Sequence, residues 1–464
     1  MSEIFSDLKI PDSWIWAKSK EIGFVINGDR GKNYPSRQHY ISSGIPFLSA
    51  GNLSKGRIDL DRLNYISEDK FNALNNGKLQ KGDIIYCLRG TLGKCAAFEL
   101  DRNAAIASSL AILRPSELLN RKYLLYFLQG PFGSKLIKHF DNGTAQPNLS
   151  GESFSNYDFP ISPLPEQHRI VSKIEALFSS LDKGIESLKT AQQQLKVYRQ
   201  AVLKWAFDGK LTNDNVKDGE LPDGWKWVKV QDIVEKNRHS LKAGPFGSSL
   251  KKECYVEQGY KIYGQEQVIS GNPFYGDYYI NLEKYNELSS NKIKPLDVLI
   301  SLVGTVGKVL ILPENCIDGI INPRLIKISL DTKIYSPVFF KYYFESSKVK
   351  SIYSSKAQGT TMDVLNLGMI KTIPFPLAPL AEQQAIVSEI ESRLSVCDKL
   401  EESITYSLKQ AEALRQSILK KAFEGKLVSQ DPSDEPANVL LEHIKAEKEK
   451  NKPEKMVRLK KVKI

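Results

Sequence analysis

The chain has 464 residues, of which 41% are hydrophobic and 26% charged, and its formal net charge is +11. A chain of this length suggests two to four folded domains, and its composition excludes an intrinsically disordered or collagen-like protein. No apolar run of about 18 residues occurs, so we expect no membrane-spanning helix. The basic surplus favours a polyanionic partner such as a nucleic acid, because lysine and arginine neutralise phosphates and release counterions.

The N-terminal segment and the cysteines indicate the compartment. The opening "MSEIFSDLKIPDSW" lacks the basic start and apolar block of a secretory signal. The five cysteines have irregular spacings, which predicts buried, reduced thiols rather than a disulfide framework. They are Cys87, Cys95, Cys254, Cys316 and Cys397. We therefore expect a cytoplasmic protein.

The first predicted domain, residues 1–160, mixes short strand-like runs with turn signals. "GDIIYCL" at 82–88 predicts a buried strand that ends in a glycine turn, and "RKYLLYFLQG" at 121–130 predicts a buried helix. The glycines of "LRGTLGKCAAF" at 88–98 are interpreted as tight strand turns, and Lys94 beside them could contact a phosphate. This mixture predicts the mixed α/β (α+β) class.

A long helix is predicted next, within residues 161–213. Pro165 suits its first turn and Gly209 suits a left-handed C-cap. A heptad seam spans about five heptads. Its predicted a positions are Ile174, Leu181, Leu188, Leu195 and Val202, and its predicted d positions are Leu177, Gly184, Ala191, Tyr198 and Trp205. At about 43 residues the helix would be about 65 Å long, which is too long to bury its apolar stripe on one small domain.

The rest of the chain repeats this plan. "RQAVLKWAFDGKL" at 199–211 returns as "RQSILKKAFEGKL" at 415–427, and "PLPEQHRIVSKIE" at 163–175 returns as "PLAEQQAIVSEIE" at 379–391. Each pair is identical at nine of thirteen positions and is offset by 216 residues. Two copies are too few for a solenoid and favour a pseudo-two-fold molecule, with the two long helices docked antiparallel. Two independent core helices are the alternative.

The second copy supplies the remaining predicted segments. They are a globular domain at 214–376, a second long helix within 377–430 and a C-terminal extension at 431–464 that ends in the basic run "KMVRLKKVKI". "LDVLISL" at 296–302 and "SPVFFKYYFES" at 336–346 repeat the buried strand and the buried helix. Turn glycines recur in "LVGTVGKVLIL" at 302–312.

The globular parts differ strongly between these landmarks. "GDRGKNYPSRQHYISSG" near 28–44 has no clear counterpart in "NRHSLKAGPFGSSLKKE" near 237–253.

Motifs for catalysis are not recognisable. "RGTLGKC" and "VGTVGKV" have the wrong spacing for a phosphate-binding P-loop. "NPFY" at 272–275 resembles the base-holding element of DNA amino-methyltransferases, but no glycine-rich cofactor loop accompanies it. The histidines show no metal-ligand spacing, and no Ser/His/Asp constellation is evident. We expect a non-catalytic chain.

Taken together, two variable α/β units, each followed by a well-matched long helix, resemble the specificity (S) subunit of a type I restriction–modification system. The motifs that carry the resemblance are the two pairs of matched segments at the helix starts and ends, together with "DPSDEPANVLLEHIKAEKEK" at 431–450. The resemblance covers essentially the whole chain.

This resemblance implies two target-recognition domains, each reading one half of a split double-stranded DNA site, held by antiparallel central and distal spacer helices. It also implies two methyltransferase (M) subunits and restriction/motor (R) subunits as partners. No cofactor is expected in this chain, because S-adenosylmethionine, ATP and Mg²⁺ would belong to those partners. The protein would be bacterial or archaeal, cytoplasmic and nucleoid-associated.

Residues that could contact DNA are chosen by the chemistry of base edges and phosphates, which favours Arg, Lys, Asn, Gln and small hydroxyls. In the first domain they are Arg30, Lys32, Asn33, Tyr34, Arg37, Gln38 and Lys94, with Thr144, Gln146 and Asn148 before the spacer. In the second domain they are Lys242, Ser248, Ser249, Lys251, Lys252, Tyr263, Gln265, Gln267 and Lys308, with Gln358 and Thr360 before the spacer. No metal ligand is predicted.

Two other functions remain open from the residues alone. A self-contained DNA methyltransferase or nuclease would need a cofactor site, and S-adenosylmethionine binding by the isolated chain would favour it. A structural coiled-coil scaffold would explain the helices but not the basic surplus, and an assembled complex without any DNA sequence preference would favour it.

Overall fold

The computed structural model describes residues 4–450 apart from residues 55, 142, 144–146, 214, 215, 218 and 357–364. The strands before the first long helix are β1 (Ile15–Lys18), β2 (Gly23–Asn27), β3 (Ile45–Leu48), β4 (Leu53–Ser54), β5 (Arg57–Ile58), β6 (Asn64–Ile66), β7 (Ile84–Cys87), β8 (Cys95–Ala97), β9 (Ala105–Ile106), β10 (Leu110–Pro115) and β11 (Asp158–Ile161).

The remaining elements follow the same pattern. The later strands are β12 (Lys226–Lys229), β13 (Leu241–Ala243), β14 (Tyr255–Val256), β15 (Tyr260–Tyr263), β16 (Tyr279–Ile280), β17 (Val298–Ser301), β18 (Val309–Ile311), β19 (Gly319–Ile321), β20 (Leu325–Ile328) and β21 (Pro374–Leu377). The α-helices are α1 (Ser19–Ile22), α2 (Glu68–Ala73), α3 (Arg121–Gln129), α4 (Pro131–Phe140), α5 (Gly151–Ser155), α6 (Leu164–Phe207), α7 (Gln265–Ser270), α8 (Leu282–Glu287), α9 (Pro337–Phe344), α10 (Ser347–Lys356), α11 (Leu367–Thr372), α12 (Leu380–Phe423) and α13 (Ala437–Lys450).

The described residues form two compact units. Unit 1 combines the chain up to Ser187 with the chain from Ser407 onward, and unit 2 spans Leu188–Tyr406. Both boundaries fall inside the long helices α6 and α12. Each unit therefore contains one globular domain and one part of each long helix. The five predicted segments follow one another along the chain, whereas unit 1 combines two separate parts of the chain and both unit boundaries lie within predicted helical segments.

One antiparallel sheet lies at the centre of each globular domain. Its strand order is β2-β10-β7-β8 in the first domain and β13-β20-β17-β18 in the second. A smaller sheet has the order β6-β3-β9 in the first domain and β16-β15-β19 in the second, where β14 extends it. The outer pairs β3–β9 and β15–β19 are both parallel. This shared topology confirms the predicted internal repeat and the mixed α/β class.

The local predictions for strands, helices and turns hold in both copies. β7 and β17 are fully buried strands within the runs predicted at 82–88 and 296–302. The predicted buried helices are α3 and α9, which begin at the side-chain caps Asn120 and Ser336. The turn glycines have φ values of 83°, 77°, 71° and 76°, which side-chain-bearing residues rarely adopt. They are Gly90, Gly93, Gly304 and Gly307.

The two long helices are each 44 residues long and end as predicted. Pro165 lies in the first turn of α6, where its missing N–H has no partner to lose. Gly209 and Gly425 follow the helices with φ values of 75° and 69°, so each provides a left-handed stop.

The predicted phase of the heptad seam is wrong. The predicted a positions are buried or half-buried, but three of the predicted d positions, Gly184, Tyr198 and Trp205, are exposed. The seam instead runs through residues four positions after each predicted a position. In α6 these are Phe178, Ile185, Gln192, Arg199 and Ala206. Gln192 and Arg199 are polar, so a search for apolar repeats selects the neighbouring stripe.

Ion pairs lie along this seam at matched positions of the repeat. In unit 1 Arg415 pairs with Asp182, and in unit 2 Arg199 pairs with Asp398 at 2.6 Å. The segments run antiparallel within each unit. In unit 1 Glu166 accepts a hydrogen bond from Gln430 at 3.3 Å, so earlier residues of α6 meet later residues of the second copy.

The end of each long helix is built into the core of the domain from the other copy. In unit 1 the ring of Phe423 lies 5.0 Å from Tyr123 and 5.2 Å from Phe127. In unit 2 the ring of Phe207 lies 5.2 Å from Phe339, and the neighbouring Ala206 is also fully buried. The repeated "AF-G" stretch is therefore a core segment, which explains why it occurs twice.

The start of each long helix is anchored by a repeated tryptophan contact. The Trp14 Nε1–H donates to Glu166 Oε2 at 2.8 Å, and the Trp225 Nε1–H donates to Glu382 Oε2 at 2.9 Å. The glutamine after each glutamate is fully buried and bonds to backbone groups of its own domain. The "PLPEQ" and "PLAEQ" motifs thus join each globular domain to its following helix.

The described part of the C-terminal extension belongs to unit 1 and packs against its globular domain. Ala437, Leu440, Leu441 and Ile444 of α13 belong to the same buried cluster as Trp14 and Tyr123. Asp434 forms an ion pair of 2.6 Å with Arg169 of α6. The basic run after residue 454 lies outside the described residues.

Candidate nucleic-acid interface

Four loops of the first domain meet at one edge of its central sheet. The Gly28 N–H, after β2, donates to Leu110 O at 3.2 Å, and the Leu88 N–H, after β7, donates to Ser109 O at 2.9 Å. The Leu149 N–H then reaches Leu88 O at 2.8 Å. We call the loops that meet here (residues 28–44, 88–94, 107–109 and the described part of 141–150) the loop edge of the first domain.

Most of the predicted cluster in loop 28–44 presents its side chains to solvent. Arg30, Lys32, Arg37 and Gln38 are exposed. Asn33 and Tyr34 are half-buried and hold the loop in place instead. Asn33 Nδ2 donates to Ala73 O at 2.8 Å, and the ring of Tyr34 lies 5.8 Å from Phe47.

The base of this loop is fixed by a buried aspartate. Asp29 accepts the N–H of Gly31 through Oδ1 and that of Asn75 through Oδ2, both at 2.8 Å. Backbone hydrogen bonds, that of Gly31 above all, lower the pKa of Asp29 and favour the carboxylate. The loop therefore presents its basic side chains from a rigid base.

The turn 88–94 contains one of the predicted residues and contacts a second. It also contains one residue that sequence reasoning missed. Lys94 is exposed in the turn between β7 and β8. The predicted Asn148 accepts a hydrogen bond through Oδ1 from Arg89 Nε at 3.2 Å. Arg89 is the missed residue, although it stands inside the quoted stretch "LRGTLGK". Thr144 and Gln146 lie outside the described residues.

The second domain repeats the loop edge with the same backbone contacts. The Gly244 N–H donates to Leu325 O at 2.9 Å, and the Leu302 N–H donates to Arg324 O at 3.0 Å. The Leu365 N–H reaches Leu302 O at 3.2 Å, as Leu149 reaches Leu88 in the first domain. The loop edge of the second domain comprises residues 244–259, 302–308, 322–324 and the described residues around 365.

These contacts correct the expectation that loop 28–44 has no counterpart. Its structural equivalent is 244–259, several residues later than the stretch near 237–253 beside which it was placed. Both loops close on a glycine, Gly44 with φ 148° and Gly259 with φ 149°. A Cβ on either glycine would collide with the carbonyl oxygen of an isoleucine in the neighbouring strand. The loop ends are therefore matched, although the residues between them differ.

Most of the predicted residues of the second domain lie at or beside its loop edge. Ser248, Lys251, Lys252 and Lys308 are exposed, and Ser249 is half-buried. Lys242 is half-buried on β13, opposite Lys327 of β20. Gln265 is half-buried and donates through Nε2 to Val303 O in the turn 302–308.

Sequence reasoning missed Arg324 in this domain, which is exposed in the turn before β20. Its signal was the turn dipeptide in "INPRL", an arginine beside a proline turn between two apolar runs. Gln358 and Thr360 lie outside the described residues.

For two residues the prediction of a DNA contact is wrong. Tyr263 and Gln267 are fully buried. The Tyr263 hydroxyl donates to Ile317 O at 2.8 Å, while Gln267 accepts the Gly264 N–H at 2.7 Å and donates to Tyr275 O at 2.6 Å. Burial raises the pKa of Tyr263. Their polar atoms bond to backbone groups in the interior of the domain, where neither side chain is accessible to DNA.

Chemically, each loop edge offers guanidinium, ammonium, amide and hydroxyl groups, the groups that contact phosphates and base edges. Among the described residues, no cluster of three or more histidine, cysteine or acidic side chains could hold a metal ion. Within the same part of the chain, no helix is long and apolar enough to cross a membrane.

Comparison with protein families gives one match that covers both repeats. The family model described as the type I restriction modification DNA specificity domain matches residues 13–196 and 222–410. The two matched ranges contain both globular domains and most of both long helices.

Curated relatives match along nearly the whole chain. The specificity subunit of the type I restriction enzyme EcoKI from Escherichia coli K12 is 25% identical, over 95% of this chain and 96% of its own length. The EcoBI specificity subunit of E. coli is 26% identical, over 95% and 94%. The putative MjaX specificity subunit of Methanocaldococcus jannaschii is 24% identical, over 90% and 95%.

Solved structures show the same fold. A chain from a study of complex assembly and conformational transition in the type I R-M system gives a TM-score of 0.67 at 20% identity, and covers 90% of this chain and 99% of that chain. The HsdS subunit from Thermoanaerobacter tengcongensis gives a TM-score of 0.55 at 19% identity, and covers 91% and 99%.

Proposed function

Because the chain belongs to the type I restriction–modification DNA specificity family, acting as a specificity subunit, we propose that it reads a bipartite DNA target, one half-site with each loop edge. Each reading surface would recognise a few base pairs, and the base pairs between the two half-sites would remain unread. A protein with two similar but non-identical reading surfaces reads an asymmetric split sequence.

One observation carries this proposal: the same loop edge is built twice with different side chains. The backbone contacts from Gly28 to Leu110 and from Gly244 to Leu325 are equivalent, and so are the segments that anchor the long helices. Between these anchors the exposed residues differ. A repeated frame with divergent exposed residues is suited to read two different sequences.

The catalytic steps in our proposal belong to other subunits. Two methyltransferase subunits would dock on the spacer helices and use S-adenosylmethionine, and restriction/motor subunits would use ATP and Mg²⁺. A half-exposed apolar strip on the helices of unit 2 supports a docking role, with Val396 56%, Leu400 48% and Tyr198 40% exposed. Exposed apolar strips of this kind mark protein–protein contacts.

The adenine-methylation pattern of the host genome, with the gene intact and deleted, tests the proposal. We expect one split motif with a fixed unread gap to lose its methylation on deletion. A tagged full-length chain should then co-purify with a methyltransferase. An unchanged methylation pattern, together with the absence of a methyltransferase from the purified chain, would contradict the proposal.

A further inference from the structure

The third residue of the tetrapeptides "GDRG" at 28–31 and "GPFG" at 244–247 occupies one structural position in the two domains. The first glycine of each directly follows β2 or β13, and its N–H donates to the carbonyl oxygen of the leucine that starts β10 or β20. A Cβ there would collide with a backbone carbonyl oxygen, of Ala107 or Asn322. Arg30 and Phe246 are therefore equivalent residues at the loop edges.

Phe246 is the most exposed large hydrophobic residue among those that the structure describes, at 85%. It lies in a short rigid turn, because Pro245 restricts the preceding backbone and the Ser249 N–H donates to Phe246 O at 2.8 Å. A single exposed apolar side chain is common on protein surfaces. The informative feature here is its position, at the point where the first domain presents an exposed arginine.

The charges around Phe246 favour a polyanion as its partner. Lys251 and Lys252 are exposed in the same loop, and Lys308 and Arg324 are exposed in the neighbouring turns of the loop edge. The exposed carboxylates of this loop are those of Glu253 and Glu257, so the loop edge that contains Phe246 carries four exposed cations against two anions. This positive balance attracts a phosphate backbone and repels basic protein surfaces. Nucleic acid fits this surface better than an apolar protein patch does.

We propose that this shared position reads one base in each half-site, with Arg30 donating to a guanine and Phe246 packing against the methyl group of a thymine. In the major groove arginine pairs with guanine O6 and N7, and phenylalanine contacts the thymine C5-methyl. The proposal rests on the proposed function and adds a residue that discriminates bases without a hydrogen bond.

Duplexes with single-atom-group changes test the proposal on the full-length chain assembled with its methyltransferase partner. Methylation mapping gives the sequences of the two half-sites, and the half-site whose recognition is altered by F246A is the one assigned to the second domain. Each thymine of that half-site is replaced in turn by deoxyuridine, which removes only the methyl group. For the wild-type assembly, one such replacement should weaken binding about three- to fivefold, the loss expected for one methyl contact. F246A should bind the thymine and uracil duplexes equally.

Matched variants separate the two reading positions. In the other half-site, replacing one guanine by 7-deazaguanine removes the N7 acceptor and should weaken binding of the wild-type assembly. The same replacement should leave the binding of the R30A assembly unchanged. I334A is the control, since Ile334 is 38% exposed in the same domain but lies beyond the C-terminal end of β20, whose first residue, Leu325, contacts the loop edge at the other end of that strand. It should keep the full discrimination. F246L retains an apolar side chain, should keep most of the discrimination and provides a second variant if F246A is poorly folded.

Four results would overturn the proposal. The half-site read by the second domain could contain no thymine, or the F246A assembly could still bind the thymine duplex more tightly than the uracil duplex. F246A could also weaken binding to target and unrelated duplexes by the same factor, or it could lose the methyltransferase and keep base discrimination. A wild-type assembly without any sequence preference would instead contradict the proposed function itself. The two failures are therefore distinguishable.

Discussion

Asp83 and Asp297 occupy the same position before the central strands of the two domains. Each carboxylate accepts a backbone N–H three residues earlier, that of Gln80 at 2.8 Å and that of Lys294 at 2.9 Å. In the first domain Asp83 also forms a bidentate pair with Arg114, with Nε and Nη2 both at 2.8 Å. A charge-assisted pair of this kind is among the stronger polar contacts in proteins.

In the second domain the place of the arginine is taken by Ser329, whose Oγ lies 2.5 Å from Asp297 Oδ1. The nearest cation is Lys327, whose Nζ lies 4.0 Å from the carboxylate. Burial raises the pKa of Asp297 and lowers the pKa of Lys327, so burial disfavours the charged form of both groups.

We predict opposite sensitivities of the two aspartates to amide substitution. Asp83→Asn should lower the free energy of unfolding of the first domain by about 2 kcal/mol, because it leaves Arg114 without its carboxylate. Asp297→Asn should change the stability of the second domain by less than about 1 kcal/mol near pH 7, because the amide can still bond to Ser329 and to the Lys294 N–H. Hydrogen exchange of peptides that cover β7 and β17, measured in the full-length chain, gives both values.

The pH dependence of the second domain follows from the raised pKa of Asp297. The folded state favours the protonated carboxyl, so this contribution to stability is fully present below the ordinary pKa of 3.8 and is lost as the pH rises through the folded pKa. Asp297→Asn should remove this dependence from the β17 peptides. Equal losses of stability in Asp83→Asn and Asp297→Asn would contradict the assignment.

Single residues also show where prediction from sequence ends. The exposure of Arg30, Lys94 and Lys308 follows from polar residues in turns between apolar runs. The burial of Tyr263 and Gln267 does not, because "IYGQEQV" contains no apolar periodicity that separates interior from surface. Gln267 is buried because its amide serves the Gly264 N–H and Tyr275 O, which are contacts made by folding.

At the scale of elements, the lengths and ends of the long helices are predictable, but the face that forms the seam is not. Proline and glycine set the ends through local backbone geometry, which the sequence shows directly. The seam includes the half-buried Gln192 and two arginines, Arg199 and Arg415, each of which pairs with a carboxylate of the other helix. Because these ion pairs join residues at least 199 positions apart, they produce no apolar periodicity within either helix.

The helix ends provide the strongest prediction at this scale. Phe423→Ala should destabilise unit 1, and Phe207→Ala unit 2, by about 3–5 kcal/mol each, because each removes a buried ring from an aromatic cluster. Trp205→Ala is the matched control, since Trp205 is 47% exposed two residues before Phe207. It should change the stability of unit 2 by less than about 0.5 kcal/mol.

Limited proteolysis with mass spectrometry would localise the effect. Phe423→Ala should expose sites in the first globular domain, more than 200 residues away along the chain, and should leave the second protected. Cleavage confined to the region around residue 423 would argue against a core role for this helix end.

For the whole molecule, the internal repeat is the feature that sequence predicts best. Matched segments reveal the two copies because anchors such as Trp14–Glu166 and Trp225–Glu382 need the same side chains twice. The loops between the anchors diverge, since only their terminal glycines are fixed by close backbone contacts. The equivalence of 28–44 and 244–259 therefore emerges only from the strand pairing.

The continuity of α6 and α12 from one unit into the other gives a prediction about the spacing of the two half-sites. Inserting seven residues after Ser187 and seven after Tyr406 adds one heptad to both helices and preserves the phase of the seam. Each helix grows by about 10.5 Å, close to the length of three base pairs of B-DNA. We expect the methylated motif to keep both half-sites and to gain an unread gap about three base pairs longer.

Methylation of the longer motif should be slower, because three added base pairs also rotate one half-site by about 100° around the DNA axis. Inserting four residues in both helices is the control, since it shifts the seam by half a heptad and should reduce methylation at every gap length. Genome-wide methylation mapping reads out both variants. If the seven-residue variant methylates the original gap, the helices do not set the spacing, and the unread length would have to be determined by the partner subunits or by the DNA itself.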